Sequence, residues 1–313
     1  MIKNIYGKHT FYFSIFTILL SILALFIKSK FEITNEFIIA PVCLFFILSI
    51  GISHGAMDNY KANKLLNIYK TSNKFVFYFI YILISIFVIF IWSLFPEYTL
   101  ISFLIIASYH FGREDTSFLS DLNSYFDQFL YLVKGSIVVF SPLFFHFEET
   151  LKIFEILFIK ENFLILLKEE HWIINVFLTF SILGYICFVI RNKFVDFEII
   201  FLDLLSILIL NYAFDPLFAF TIYFCFLHSI RHIISISNDL DSNNFQSGIK
   251  IFIKKALPLT IATIVLYIFA IIFLSFSYGL NEVIVKVIFI GLASLTFPHI
   301  LLEYLLEINE KRN

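Results

Sequence analysis

Long runs of Ile, Leu and Phe, broken by short polar links, dominate this chain. Measured against the roughly 20 residues a helix needs to cross a bilayer, they predict spans at 11–27, 37–54, 75–95, 98–115, 127–145, 173–190, 197–213, 216–235, 252–277 and 283–302. The fourth run is short, and Gln128 and Lys134 dilute the fifth. The expectation is therefore an all-α, polytopic transmembrane bundle of about 8–10 spans, forming one integral membrane domain over residues 1–313. Between the fifth and sixth runs, 146–172 mixes apolar residues with Glu148, Glu149, Lys152, Glu155, Lys160, Glu161, Lys168, Glu169 and Glu170. That pattern predicts an interfacial helix and loop.

Charge then orients the bundle. With a cytoplasmic N-terminus, Lys3, Lys8, Lys61, Lys64, Lys70, Lys74, Arg113, Arg191, Lys193, Arg231, Lys250, Lys254, Lys255, Lys311 and Arg312 fall inside. Lys28, Lys30, Lys152, Lys160 and Lys168 fall outside, and fifteen against five is a positive-inside bias that predicts cytoplasmic N and C termini. The first run, from Phe11 to Ile27, lacks a small-x-small cleavage pattern and ends in Lys28, Ser29 and Lys30, so it reads as a retained span.

Composition agrees with the pattern. At 60% apolar and 15% charged, the chain lies far from the balance of a soluble domain. A net charge of -2 gives no sign of nucleic-acid binding. Cys43, Cys187 and Cys225 stand singly in apolar runs, without C-x-x-C spacing, and read as small buried hydrophobes.

The candidate chemistry lies in the histidines. The second, fourth, eighth and tenth spans all run inward, and each carries His towards its inner end: His54, His110, His228 with His232, and His299. At about 1.5 Å per residue they lie roughly 18–25 Å below the outer edge of a core about 30 Å thick, in one layer. A metal bound by imidazole at about 2 Å needs such a layer, and His228 and His232, four apart, share a helix face. Asp58 follows His54 by four residues, Asp115 follows His110 by five, and Glu303 follows His299 by four. With Asp203 inside the seventh span, these carboxylates are candidate ligands or hydrogen-bond partners of ligating His, or else ordinary helix ends. His9, His146 and His171 lie outside the layer and read as interfacial residues.

A His set without Cys suits Fe, Zn, Cu or Ni. Four neutral His around Fe(II) leave positions open for O2, whereas a structural zinc site would be closed. Aromatic residues near the layer, Tyr109, Phe111, Tyr223, Phe224 and Phe297, could line a cavity for a lipophilic substrate or simply pack. A His-box membrane hydroxylase or desaturase needs more HxxxH and HxxHH boxes than the one present. A non-enzymatic haem-binding or transport protein is the other alternative.

The blocks GISHGAMD (51–58), SYHFGREDTSF (108–118), FLHSIRHI (226–233) and FPHILLEYL (297–305) resemble, in order and separation, the Brp/Blh family of bacterial and archaeal membrane-bound beta-carotene 15,15'-dioxygenases. Ser53 departs from the family, where Pro is commoner before this His. The resemblance implies O2-dependent cleavage of the central double bond of beta-carotene to two molecules of retinal at a non-haem Fe(2+). It also implies ligands His54, His110, His228 and His232, with His299 a ligand, a supporting group or a substrate contact. The further implications are a multi-pass protein of the bacterial inner membrane and a retinal-binding rhodopsin as functional client.

Overall fold

The computed structural model describes residues 2–30, 36–70, 73–119, 124–193 and 196–310. Lys311 and Arg312, counted above on the inner side, lie outside the described residues. No strand occurs among those described, as expected of a bilayer-spanning chain that must satisfy its backbone within each segment. The α-helices are α1 (Ile2–Lys30), α2 (Glu36–Ser49), α3 (Asp58–Ile68), α4 (Lys74–Leu94), α5 (Pro96–Glu114), α6 (Tyr125–Gly135), α7 (Ile137–Phe145) and α8 (Phe147–Ile156). They continue with α9 (Glu161–Glu169), α10 (Trp172–Arg191), α11 (Phe197–Ala213), α12 (Pro216–Ile222), α13 (Ile230–Leu240), α14 (Phe245–Leu274) and α15 (Leu280–Glu310).

Eight helical segments among the described residues are long and apolar enough to cross a membrane. The two predicted spans outside that set are α5, with Glu97 at one end and Arg113 and Glu114 at the other, and α11, only 17 residues long. Both nevertheless run the length of their neighbours. Lys3 pairs with Asp196 (2.7 Å) at one end of α1 and α11, and Lys28 donates to the Ala213 carbonyl (2.7 Å) at the other. Arg113 at the end of α5 likewise pairs with Glu307 of α15 (2.7 Å).

The outer faces are apolar. On α4, Phe75, Phe79, Leu83, Phe87, Phe90 and Leu94 recur every three or four residues and all are exposed, while Val88 and Trp92 turn inward. Such a stripe is stable only against lipid. Cys43 and Cys225 are buried as expected, but Cys187 is exposed on the outside of α10. The 146–172 stretch forms α8 and α9, which bury Leu151 and Phe154 and leave their charges outward.

Three local departures from α-helix shape the interior. Between α2 and α3, two 3₁₀ turns, Gly51–Ser53 and Gly55–Met57, flank His54. Between α12 and α13, Tyr223–Ser229 winds as π-helix. Pro298 interrupts the backbone ladder of α15 next to His299. Two glycines set the helix spacing: a Cβ at Gly112 would meet the Tyr131 carbonyl oxygen at 1.8 Å, and one at Gly51 would meet the Phe224 ring at 2.7 Å. The α5 and α6 backbones, and the His54 turn and the π segment, are thus in direct contact. Gly55 has open space around it and has no such role.

Candidate metal centre

The five predicted histidines converge. His54, His110, His228, His232 and His299 are each between 1% and 6% exposed. The His54 ring lies 5.4 Å from His228, 5.0 Å from His232 and 5.7 Å from His299, and the His110 ring lies 5.1 Å from His228 and 5.3 Å from His299. An imidazole bound at about 2.1 Å puts its ring centre about 3 Å from the ion, so ligands of one ion have ring centres roughly 4.5–6.5 Å apart. Donor atoms fall within 4.8 Å of one another in four overlapping triads: His54/His232/His299, His110/His228/His232, His110/His299/Glu303 and Glu114/His232/Glu303.

Hydrogen bonds aim two of the rings. His228 Nδ1 lies 2.9 Å from Asp115 Oδ1, and His299 Nδ1 lies 2.7 Å from Asp58 Oδ1. A carboxylate only accepts, so each ring carries its proton on Nδ1 and turns an Nε2 lone pair inward. Both carboxylates are braced, Asp115 by the Tyr223 hydroxyl (2.6 Å) and Asp58 by the Tyr81 hydroxyl (2.9 Å). His228 Nε2, His299 Nε2, His54 Nδ1 and His232 Nδ1 are buried without a hydrogen-bond partner. Buried imidazole nitrogens without partners are costly in an apolar bundle, and a cation held by one of these triads would satisfy those that carry a lone pair.

The rings these carboxylates serve are not the ones nearest to them in sequence. Asp58 does not orient His54, because the 3₁₀ turn between them, Gly55–Met57, breaks the one-turn stacking of residues four apart and carries Asp58 to α15. Asp115 does not serve His110: five residues along an α-helix are rotated by roughly 140°, which points Asp115 at the π segment. There the wider i to i+5 winding stacks Tyr223 and His228 on one face, so that both reach the same carboxylate. Asp203 meets no histidine. It takes both Nη atoms of Arg231 (2.8 and 2.6 Å), and Arg231, counted above among the inner charges, is 1% exposed inside the bundle. Glu303 stays in the cluster, 3.4 Å from His299 Nε2 and 3.5 Å from His110 Nδ1.

Two participants went unpredicted. Glu114, four residues after His110, lies 3.9 Å from His232 Nδ1. Lys61, on α3, donates to Glu303 and places Nζ 3.0 Å from His232 Nε2. For Glu114 the helical spacing from His110 was the available signal, whereas Lys61 sits beyond the 3₁₀ turn that follows His54 and carries no such signal.

Two cavities reach the cluster. One, of about 580 Å³, is mostly apolar and lies between α4, α5, α6 and α15. Its inner wall is His110, Glu114 and Glu303, and its outer rim includes Ile105, Leu301 and Tyr304, exposed on the lipid-facing side. Tyr109 and Phe297 line it as expected, but Phe111, Tyr223 and Phe224 do not. They box the His228 ring instead, at 4.8, 6.4 and 5.8 Å. The other cavity, about 250 Å³, is lined by Lys61, Lys64, Arg113, Asp239, Glu114, Glu303 and Glu307 among others. His9, His146 and His171 are outside the cluster, His9 bonding the Phe226 carbonyl and His171 packing on Phe147.

Fold and site together define a class: a multi-pass helical membrane protein with a buried polyhistidine centre reached through an apolar cavity. The family described as Beta-carotene 15,15'-dioxygenase matches residues 45–307, a range that holds every cluster residue, and the chain belongs to that family. It is accordingly an enzyme of the carotenoid-cleaving dioxygenase class. A Beta-carotene 15,15'-dioxygenase from uncultured marine bacterium 66A03 is 28% identical over 262 residues, covering 82% of this chain and 90% of the relative. No solved structure matches the chain.

Proposed function

We propose that the protein cleaves the central 15,15' double bond of beta-carotene with O2, yielding two molecules of all-trans-retinal, at Fe(2+) held by His54, His110, His228 and His232. The observation that carries this reading is the nest of buried imidazoles with unpartnered nitrogens packed against His110, which itself forms the inner end of an apolar cavity open to the lipid side. Neutral nitrogen donors without thiolate suit iron, and four of them leave coordination positions open. Bound there, Fe(2+) would supply the O2 activation that no side chain of the pocket provides. His299, fixed by Asp58 as His228 is by Asp115, adds a further neutral imidazole beside the four ligands.

The chain's own contribution is placement. Ile105, Ile106, Leu132, Phe297 and Ile300 offer a water-poor wall for a polyene entering from the bilayer, and His110 at the cavity's end meets its middle. The Glu303 carboxylate offsets cationic charge beside four neutral rings. The reaction balances without a further reductant: one C=C and one O2 become two C=O groups. The protein would sit in the bacterial inner membrane, its product serving a retinal-binding rhodopsin.

The test is pigment analysis of a beta-carotene-producing host expressing the chain beside His54→Ala and His228→Ala variants at matched membrane levels. Loss of carotene with retinal formed only by the unaltered chain is the expected result. Persisting carotene with well-expressed protein would refute the substrate. Iron content and a visible spectrum free of a haem band check the metal.

A further inference from the structure

We propose that Lys61 is a positioning residue that competes with a metal ion for His232, and that metal binding moves its ammonium off that ring. The proposal rests on the metal-centre reading above. It follows from counting lone pairs. An ammonium has three donors and no acceptor, so the nitrogen it touches must supply a lone pair. With Lys61 Nζ 3.0 Å from His232 Nε2, that ring is the tautomer protonated on Nδ1, and its single lone pair is spent on the lysine. A metal needs the same lone pair. Were it to bind Nε2, Lys61 must leave. Were it to bind Nδ1, which has no hydrogen-bond partner, Nε2 would carry a proton and face the ammonium donor to donor. The contact and a metal-bound His232 are mutually exclusive in both cases.

The structure also supplies somewhere for the lysine to go. Lys61 forms part of the wall of the polar cavity, which on its other sides carries Glu114, Asp239, Glu303 and Glu307. Withdrawn into it, the ammonium keeps a carboxylate partner. Glu303, at present shared between Lys61 and the rings, is 3.6 Å from His232 Nε2 and 3.4 Å from His299 Nε2, so releasing it adds an anionic group to the nest as the cation arrives. The lysine thus braces His232 and Glu303 while competing with the metal for one ligand.

The experiment uses the full chain in detergent, stripped with a chelator and titrated with Co(II), whose visible bands report imidazole coordination. Removing a competing charge-assisted hydrogen bond predicts about tenfold tighter Co(II) binding in Lys61→Met than in wild type. It also predicts a lower Tm for the metal-free variant and a larger Tm gain on Co(II) addition. Lys61→Gln, which keeps a hydrogen bond to Glu303 and loses the charge, should tighten binding as well and serves if the Met variant does not fold. Wild-type binding with unchanged or weaker affinity in the variants overturns the proposal, since a merely structural lysine gives that result. Absence of Co(II) bands in wild type and variants alike would instead overturn the metal-centre reading, and this inference with it.

Discussion

Asp115 makes a separable test of the geometry, because its two oxygens serve one ring and one hydroxyl and nothing else in side-chain contact. Its Oδ1 takes the proton of His228 Nδ1 at 2.9 Å and its Oδ2 the Tyr223 hydroxyl at 2.6 Å, while Arg231 bonds only its backbone oxygen. Asp115→Asn keeps the shape and an acceptor for His228 but removes the charge that strengthens the imidazole as a donor to metal. Losing such a partner costs about 10- to 100-fold in metal affinity or activity, or about 1.4–2.8 kcal/mol. Asp115→Ala strands both buried donors at about 1–3 kcal/mol each, so stability should fall by about 2–6 kcal/mol. The assay pairs iron content per purified protein with retinal formed per unit time, and adds Tm in detergent. The Asn variant should lose iron and rate with a small change in Tm, the Ala variant should lose all three, and Tyr223→Phe should lower rate by a few-fold. Wild-type iron and rate in Asp115→Asn would refute the assignment of His228 Nε2 as a ligand aimed by this carboxylate.

Further outcomes follow from other parts of the fold. Gly112→Ala puts a methyl 1.8 Å from the backbone oxygen of Tyr131, which no side-chain movement relieves, so α5 and α6 must separate at a cost of about 1–3 kcal/mol or more; detergent Tm and gel-filtration profile read it. Asp203→Ala leaves Arg231 unpaired among residues 1–2% exposed, and breaking such a buried pair should cost about 3–5 kcal/mol, seen as lost membrane expression, while Asp203→Glu recovers part of it. Ile106→Trp fills the apolar cavity beside His110 and should cut retinal formation by about tenfold, or roughly 1.4 kcal/mol of lost substrate fit, with iron content unchanged. An unaltered rate in that variant would mean the polyene takes another route.

How much could be read before folding divides along one geometric line. Hydropathy and the positive-inside bias predict where each helix crosses and in which direction, and with a constant rise per residue that places His54, His110, His228, His232 and His299 at one depth. Depth is an axial coordinate, and the chain states it locally. Rotation about each helix axis and the identity of the neighbours are not stated locally, because they depend on packing between segments far apart in sequence. Spacing along the chain accordingly leaves open which carboxylate partners which ring. Asp58 reaches His299 across 241 positions only because the turns around His54 leave the α-helical repeat, and Asp115 reaches His228 only because a π segment rephases one face of the eighth span. Asp203 and Arg231 looked like a stray intramembrane charge and a surface cation, and became one buried pair because α11 and α13 place them together. The sequence by itself determined a membrane bundle with a histidine layer. Tertiary packing alone decided which carboxylate aims which ring, that Lys61 and Glu114 join the nest, and which aromatics line the cavity, since each of these is a contact between helices and not a property of any one of them.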